Sequence, residues 1–353
     1  MFPLDTFPLH SFVAGDPLRA TIERTADESS RTRGNSRVSN YRDLDPIGNA
    51  VFMTEPPDAR RSNAILWFMR VAVVACGVVA PLCGATLDEW SDGARLATSV
   101  AMWATWATCL LCVLVPSSIS LTAVRLSCPT LIVSTALVVS NDGDIAALIA
   151  LVVTIVATLL VFSADVGDSF VQLSAYGDER RHLLRCPPAM IVIQVLAWCV
   201  WVSTITATTM FAIDRSWVVA AILGAAAITL SWLLPKRFHR YSRRWFVQVP
   251  AGLVIHDHVV LAETAMFLAS NVRAVDMVTM GDNAAADLTG GCRGTALRVT
   301  LADFDTVVLA ATRTDPGGKA IHVKSMTVCP SRPGRTLGEM TTPPPSTTSP
   351  ASS

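Results

Sequence analysis

The chain has 353 residues, 51% of them hydrophobic and only 16% charged, and its mean hydropathy is +0.45; an average water-soluble chain carries about 25% charged residues. Its formal net charge is +0, so overall charge implies no nucleic-acid partner. The deficit of charge is concentrated between residues 62 and 236, which points to a membrane-embedded middle flanked by ordinary polar ends.

Residues 1–62 scatter acids and arginines among Pro, Ser and Asn without sustained periodicity, and read as a disordered N-terminal region. The first ten residues carry Asp5 and Pro3 where a signal peptide would have a basic stretch and an apolar core. Crossing a hydrocarbon core of roughly 30 Å takes about 20 apolar residues. Runs of that kind lie at 63–83, 96–116, 119–140, 144–163, 190–212 and 217–234, which predicts about six transmembrane helices over residues 63–236. The third is interrupted by Arg125 and Pro129, and a proline inside a helix frees a carbonyl and favours a kink.

Charge sorts the loops. Arg60 and Arg61 precede the first span; Arg180, Arg181 and Arg185 lie between the fourth and fifth; Lys236, Arg237, Arg240, Arg243 and Arg244 follow the sixth. The intervening loops carry Asp88, Glu89 and Asp92, or Asp142 and Asp144. Basic segments at alternate ends, read by the positive-inside rule, predict that both termini are cytoplasmic and that the basic residues orient the protein against lipid headgroups. The predicted location is the bacterial inner membrane.

Polar residues within spans are the default functional candidates. Arg70 and Arg125 are the ionisable ones, each within snorkelling reach of the cytoplasmic interface, and Gln194 is an internal amide expected to bond a neighbouring helix. Trp67, Trp217 and Trp232 fall near span ends, whereas Trp103, Trp106, Trp198 and Trp201 lie deeper and are expected between helices. The pair Cys109 and Cys112 brackets two leucines inside a span and reads as packing residues.

After the last span, short β-rich runs at 245–250 and 253–257 flank an Ala251-Gly252 turn and predict a hairpin. Further runs lie at 271–280, 296–301, 306–311 and 321–328, with a turn at 315–318; residues 264–268 fit helix or strand. Residues 237–335 therefore read as a small, mostly antiparallel β domain, and the Pro/Ser/Thr-rich stretch 336–353 as a disordered tail. The phrase RRWFVQVPAGLVIHDHVVLAETAMF, with its Gly-rich loop and closing CPSRPGRTL, resembles the soluble part of uncharacterised multi-pass membrane proteins of actinobacteria. The strand–turn–strand pattern followed by NVRAVDMV is similar to the opening of bacterial PH-like domains. The resemblance implies a PH-like cytoplasmic domain behind a helical integral membrane bundle, and carries no catalytic residues.

Local candidates for chemistry are weak. His256 and His258 share a strand face but no third ligand is near in sequence. Gly290, Gly291 and Gly294 lack the lysine and strand-to-helix context of a phosphate loop, and read as a hairpin loop. The KRFHRYSRR run lies directly inside the last span, where anionic lipid is the simplest partner. The expectation is a non-enzymatic membrane scaffold or interaction protein without cofactor or metal, with the lipid bilayer and a protein as partners. The alternative is a transporter or channel for a small or lipidic solute, with a polar midplane cavity around Trp103, Trp106, Gln194 and Trp198.

Overall fold

A computed structural model of the chain describes residues 57–80, 90–142, 145–280, 285–311 and 315–341. The chain divides into two compact units, Met1–Thr54 and Glu55–Ser353; the first, with the N-terminal region read as disordered, lies outside the described residues, as do the acidic Asp88, Glu89 and Asp144 and the tail from 342.

Seven helices precede or interleave with the first strands: α1 Pro57–Val79, α2 Asp92–Leu114, α3 Ser118–Asp142, α4 Ile145–Phe162, α5 Ala164–Gln172, α6 Pro188–Ile213 and α7 Trp217–Ser242. Of these, α2, α3, α4, α6 and α7 are long and apolar enough to cross a membrane. The apolar part of α1, Asn63–Val79, is shorter. The third segment is one continuous 25-residue helix that keeps Pro129 in its interior.

The helices alternate in direction. Arg70 Nε donates to the Val113 carbonyl and the Trp106 indole to Val73, setting α1 against α2; Arg125 Nε reaches the Val161 carbonyl and Thr158 bonds Cys128, setting α3 against α4. Leu66, Met69, Val73, Cys109, Cys112, Val124, Cys128 and Val161 fill the seam of this four-helix group. Cys109 and Cys112 are buried free thiols there, as packing residues should be. The α6/α7 hairpin leans on α3 from outside: Trp198 Nε1 donates to the Leu126 carbonyl at 3.0 Å, and Thr122 meets His239 at 2.9 Å. Not one residue of α6 is buried. An apolar helix so exposed requires lipid around it.

The β domain holds β1 Arg180–Leu183, β2 Trp245–Val249, β3 Gly252–His256, β4 Ala265–Leu268, β5 Val272–Thr279, β6 Ala286–Asp287, β7 Thr295–Leu309 and β8 Lys319–Val328, closed by α8 Pro333–Thr341. Two four-stranded sheets run β1-β2-β3-β4 and β5-β7-β8-β6, antiparallel except for β6 beside β8. Phe246, Ile255, Phe267, Leu297, Val299, Leu301, Val323 and Met326 are buried in one shared core. The β2–β3 hairpin forms where the Ala-Gly turn predicts it, and residues 265–268 are strand.

Four expectations are corrected. The basic loop of 180–185 contributes β1, paired with β2, so the connection between α4 and α6 also supplies a strand to the β domain. Residues 296–301 and 306–309 belong to one strand, bent where its register against β8 slips between Thr300 and Asp305; the polar Asp303 and Asp305 sit at this bulge. Gly290, Gly291 and Gly294, all with positive φ, lie between β6 and β7, which are not neighbours, so their loop is not a hairpin. Residues 336–341 belong to α8, which starts on a proline and packs Leu337 and Met340 onto the core.

Gly252 has φ +153, and a methyl group there would overlap the Phe267 carbonyl. Gly252→Ala is expected to destabilise the domain by about 3 kcal/mol and open β3 from β4; limited proteolysis of the full chain, cutting within 257–268 in the variant alone, is the check.

Candidate functional site

The polar chemistry of the described chain converges where helices meet sheets. Helix α5 follows directly on α4, with Ser163 as its N-cap. Its Val166, Phe170 and Val171 face the helical seam. Asp165, Asp168 and Gln172, at helical spacing, form its opposite, polar face. Asp165 pairs with Arg332. Asp168 accepts from the Leu183 backbone N–H at 2.9 Å and from the Ser331 hydroxyl at 2.7 Å. Gln172 accepts from the Arg181 N–H at 2.7 Å and donates to the Glu179 carbonyl at 3.0 Å. One short helix thus clamps both β1 and the segment after β8.

Beyond β1 the chain stays extended. Leu184 N–H donates to the Arg244 carbonyl, Arg185 N–H to Cys329 and Ser331 N–H to Leu183, which threads residues 183–185 between the end of α7 and the end of β8. Arg244 anchors this crossing. It is 1% exposed, its Nε and Nη2 lie 2.9 and 2.7 Å from the two carboxylate oxygens of Asp257, and it also donates to the Arg185 and Thr289 carbonyls.

Two groups in the clamp have displaced proton affinities. Burial raises the Asp168 carboxyl to about 6, against the lowering pull of the Ser331 and Leu183 hydrogen bonds. Burial lowers His182 to about 4, opposed by Glu339, whose Oε2 lies 3.7 Å from its Nε2. Asp168 is thereby poised near neutrality, whereas His182 is neutral.

The predicted orientation residues divide. Lys236, Arg237, Arg240 and Arg243 are exposed on the last turns of α7 and its end; Lys236 lies over the Trp232 ring. Arg60 and Arg61 lie at the start of α1, with side chains outside the described residues. The headgroup reading of Arg180, Arg181, Arg185 and Arg244 is corrected. Arg180 donates to the Glu339 carbonyl, Arg181 pairs with Glu179, Arg185 donates to the Arg293 and Thr295 carbonyls, and Arg244 is buried. A guanidinium carries five donors, and the carbonyl-rich ends of strands absorb them.

Within the spans, Arg70 and Arg125 turn toward neighbouring helix carbonyls rather than out to an interface. Gln194 donates to the Cys186 thiol at 3.5 Å, a residue just outside its own helix. Arg125 and Gln194 share a cavity of about 610 Å³ between α3 and the α6/α7 hairpin, roofed by residues 183–186. Trp198 lines it; Trp103 and Trp106 do not: their rings meet edge to face with centroids 5.4 Å apart, Trp106 bonded to Val73 of α1 and Trp103 exposed. His256 and His258 do face each other, 4.3 Å between centroids, but His256 stacks on Trp245 and bonds Thr264. Burial, then the neighbouring His258, lowers His256 to about 4. Among the described residues no group of three or more His, Cys, Asp or Glu could hold a metal ion.

Sequence reasoning missed Asp165, Asp168 and Tyr241, and weighed Asp257 only beside His256 and His258, not as the partner of Arg244. The 165–172 stretch does carry a signal, acids and Gln at i, i+3 and i+7 opposite apolar residues, immediately after an apolar run. Compared with protein-family profiles, with curated proteins and with solved structures, the chain finds no match.

Proposed function

We propose that this chain is a non-enzymatic, six-span scaffold of the bacterial inner membrane, with both termini cytoplasmic, that holds a PH-like β domain against the membrane to engage a protein partner. The observation that carries the reading is the mounting of the domain. It is fixed to the helices through β1, through the α5 clamp and through Arg244 at the exit of α7. A domain fixed at three places presents its outer surface in one orientation, which favours a scaffold over a loosely tethered module. The outermost strand β4 exposes Met266 and Leu268, an apolar edge suited to a protein contact.

Support for the finer points is geometric. Helix α1 continues the apolar segment Asn63–Val79 from a basic start at Arg60 and Arg61, as a sixth, shorter crossing anchored at its basic end would. The α1 start, the 164–185 segment and the α7 end all lie at the end of the bundle that carries the β domain, so the basic segments share one side, the cytoplasmic side by charge. Two small antiparallel sheets closed by a helix support the PH-like reading, and the actinobacterial resemblance is part of the same proposal. The transporter alternative has less support, since two of its four predicted cavity residues, Trp103 and Trp106, do not line the cavity.

Two measurements test this. A membrane-impermeant maleimide should label Asp214→Cys in intact cells, and Glu263→Cys only after permeabilisation; the reverse pattern overturns the orientation. A photocrosslinking residue at Met266 should trap one discrete protein adduct in native membranes, lost on Leu268→Lys. Adducts no stronger than those from a control position at Tyr176 would refute the scaffold role.

A further inference from the structure

We infer that the cavity between α3 and the α6/α7 hairpin binds one anionic phospholipid, with the phosphate on Arg125 and the acyl chains along the apolar wall that α3 and α6 share. The inference concerns a ligand of the helices and stands independently of any partner of the β domain.

Its first ground is charge. Arg125 lines the cavity, its one hydrogen bond among the described residues is the 3.4 Å contact to Val161, and its guanidinium stands 5.7 Å from the Phe162 ring. No carboxylate among the described residues forms an ion pair with it. Asp168, whose charge it senses, already accepts from Leu183 and Ser331. A cation in an apolar helical seam needs a counter-charge, and a planar guanidinium matches phosphate oxygens in pairs.

The second ground is the shape and chemistry of the walls. Beside Arg125, the cavity offers the Gln194 amide and the Tyr241 hydroxyl, which among the described residues bond only sulfur, Cys186 at 3.5 Å and Met190 at 3.7 Å. These can bond glycerol or ester oxygens below a phosphate. Arg185 and Ser331 add polar groups to the lining, and the wall toward α3 and α6 is apolar, through Leu126, Pro129, Ile191 and Val195. Ile191 and Val195 are also 48% and 54% exposed on the outer surface of α6, so the cavity runs continuously into the lipid-facing surface. A soluble anion has no use for such a wall, whereas an acyl chain does.

The third ground is packing. With no buried residue on α6, the hairpin touches the four-helix group at few points, Trp198 to Leu126 and Thr122 to His239 among them. Side chains bordering an unfilled space forfeit dispersion contacts. A volume of about 610 Å³ accommodates a headgroup and the upper part of its chains, and the lipid would complete the seam. Zwitterionic lipid fits less well, because its ammonium would enter a cavity lined by Arg125 and Arg185 and by no carboxylate among the described residues.

The test is native mass spectrometry of the full chain released from detergent with added dioleoyl-phosphatidylglycerol or dioleoyl-phosphatidylcholine. Wild type should retain one phosphatidylglycerol in preference to phosphatidylcholine. Arg125→Gln should bind it about tenfold to a hundredfold more weakly, the loss of one charge-assisted interaction, and Arg125→Lys should recover part of that. Since Arg125→Gln could misfold, Val195→Trp is the second variant. It fills the apolar wall, leaves Arg125 in place, and should abolish retention; unchanged retention overturns the proposal. So would equal retention of both lipids, or displacement of phosphatidylglycerol by millimolar glycerol phosphate, which would assign the site to a soluble anion. A brominated-chain phosphatidylglycerol should quench wild type more than Trp198→Phe, and equal quenching would place the lipid elsewhere.

Discussion

Replacing Asp257 with Asn is expected to destabilise the β domain by about 3–5 kcal/mol, the range for breaking one side of a buried ion pair. Both side chains are all but inaccessible, 1% for Arg244 and 0% for Asp257. Asn keeps the local turn, because its side-chain oxygen still accepts from the Val259 N–H as Asp257 Oδ1 does at 3.0 Å. What it removes is the charge opposite Arg244, which is left ionised in a place without water. The effect should spread beyond the pair. Arg244 also donates to the Arg185 carbonyl, and its own carbonyl receives the Leu184 N–H. Loosening it therefore frees the strand that joins the β domain to the helices. Replacing both residues by apolar ones of similar volume, Arg244→Met with Asp257→Leu, should recover much of the loss, because neither partner is then buried alone. Chemical denaturation of the full chain, followed by protease susceptibility at 257–268, measures both. A single variant within about 1 kcal/mol of wild type would show that the pair is solvated in the folded protein.

The second large effect is on pH dependence, where two buried groups oppose each other. Asp168 rises to about 6 from an unfolded value of 3.8. A carboxyl with a raised folded value takes up its proton first in the folded state. Its contribution is therefore fully present below pH 3.8 and is lost as pH rises through about 6. His182 falls to about 4 from 6.5. Its unfolded form protonates first, so its contribution is fully present above pH 6.5 and is lost as pH falls through about 4. Each amounts to about 3 kcal/mol across its window. Over the shared acidic range the two offset, and the wild-type clamp should be nearly indifferent to pH. Asp168→Asn should leave the loss from His182 uncompensated and make the clamp acid-labile. His182→Leu should do the opposite and stabilise it on acidification. Stability of the three proteins measured across the window between these values decides the matter; parallel profiles would mean that neither group is buried as described.

Both effects lie at the junction of helices and sheets, which bears on what a sequence can reveal. The apolar runs were legible because crossing a bilayer is a local requirement: each stretch must satisfy its own backbone and expose its own hydrocarbon. Five long apolar helices follow from that alone, including the one holding Arg125 and Pro129. The β2–β3 hairpin was legible for the same reason, since Ala251-Gly252 closes a turn between adjacent strands. Local charge predicted the exposed face of Lys236, Arg237, Arg240 and Arg243.

Tertiary structure decided the rest, because it depends on partners distant in the chain. RRHLL reads as a polar loop until Arg180 to Leu183 meet Trp245 to Gln248 across the whole α6/α7 hairpin. Arg244 is indistinguishable by type from Arg243 beside it, yet one is buried on Asp257 and the other is exposed, because successive residues entering a strand face opposite sides. The same distance hides the cavity. Arg125 looked like one of two stray cations within spans; what sets it apart is that α6 and α7 stop short of filling the space beside it. Sequence determined that this chain enters the membrane and carries a β domain. Which charges are buried, which strand ties the domain down and where a lipid would sit were decided by contacts that no local pattern encodes.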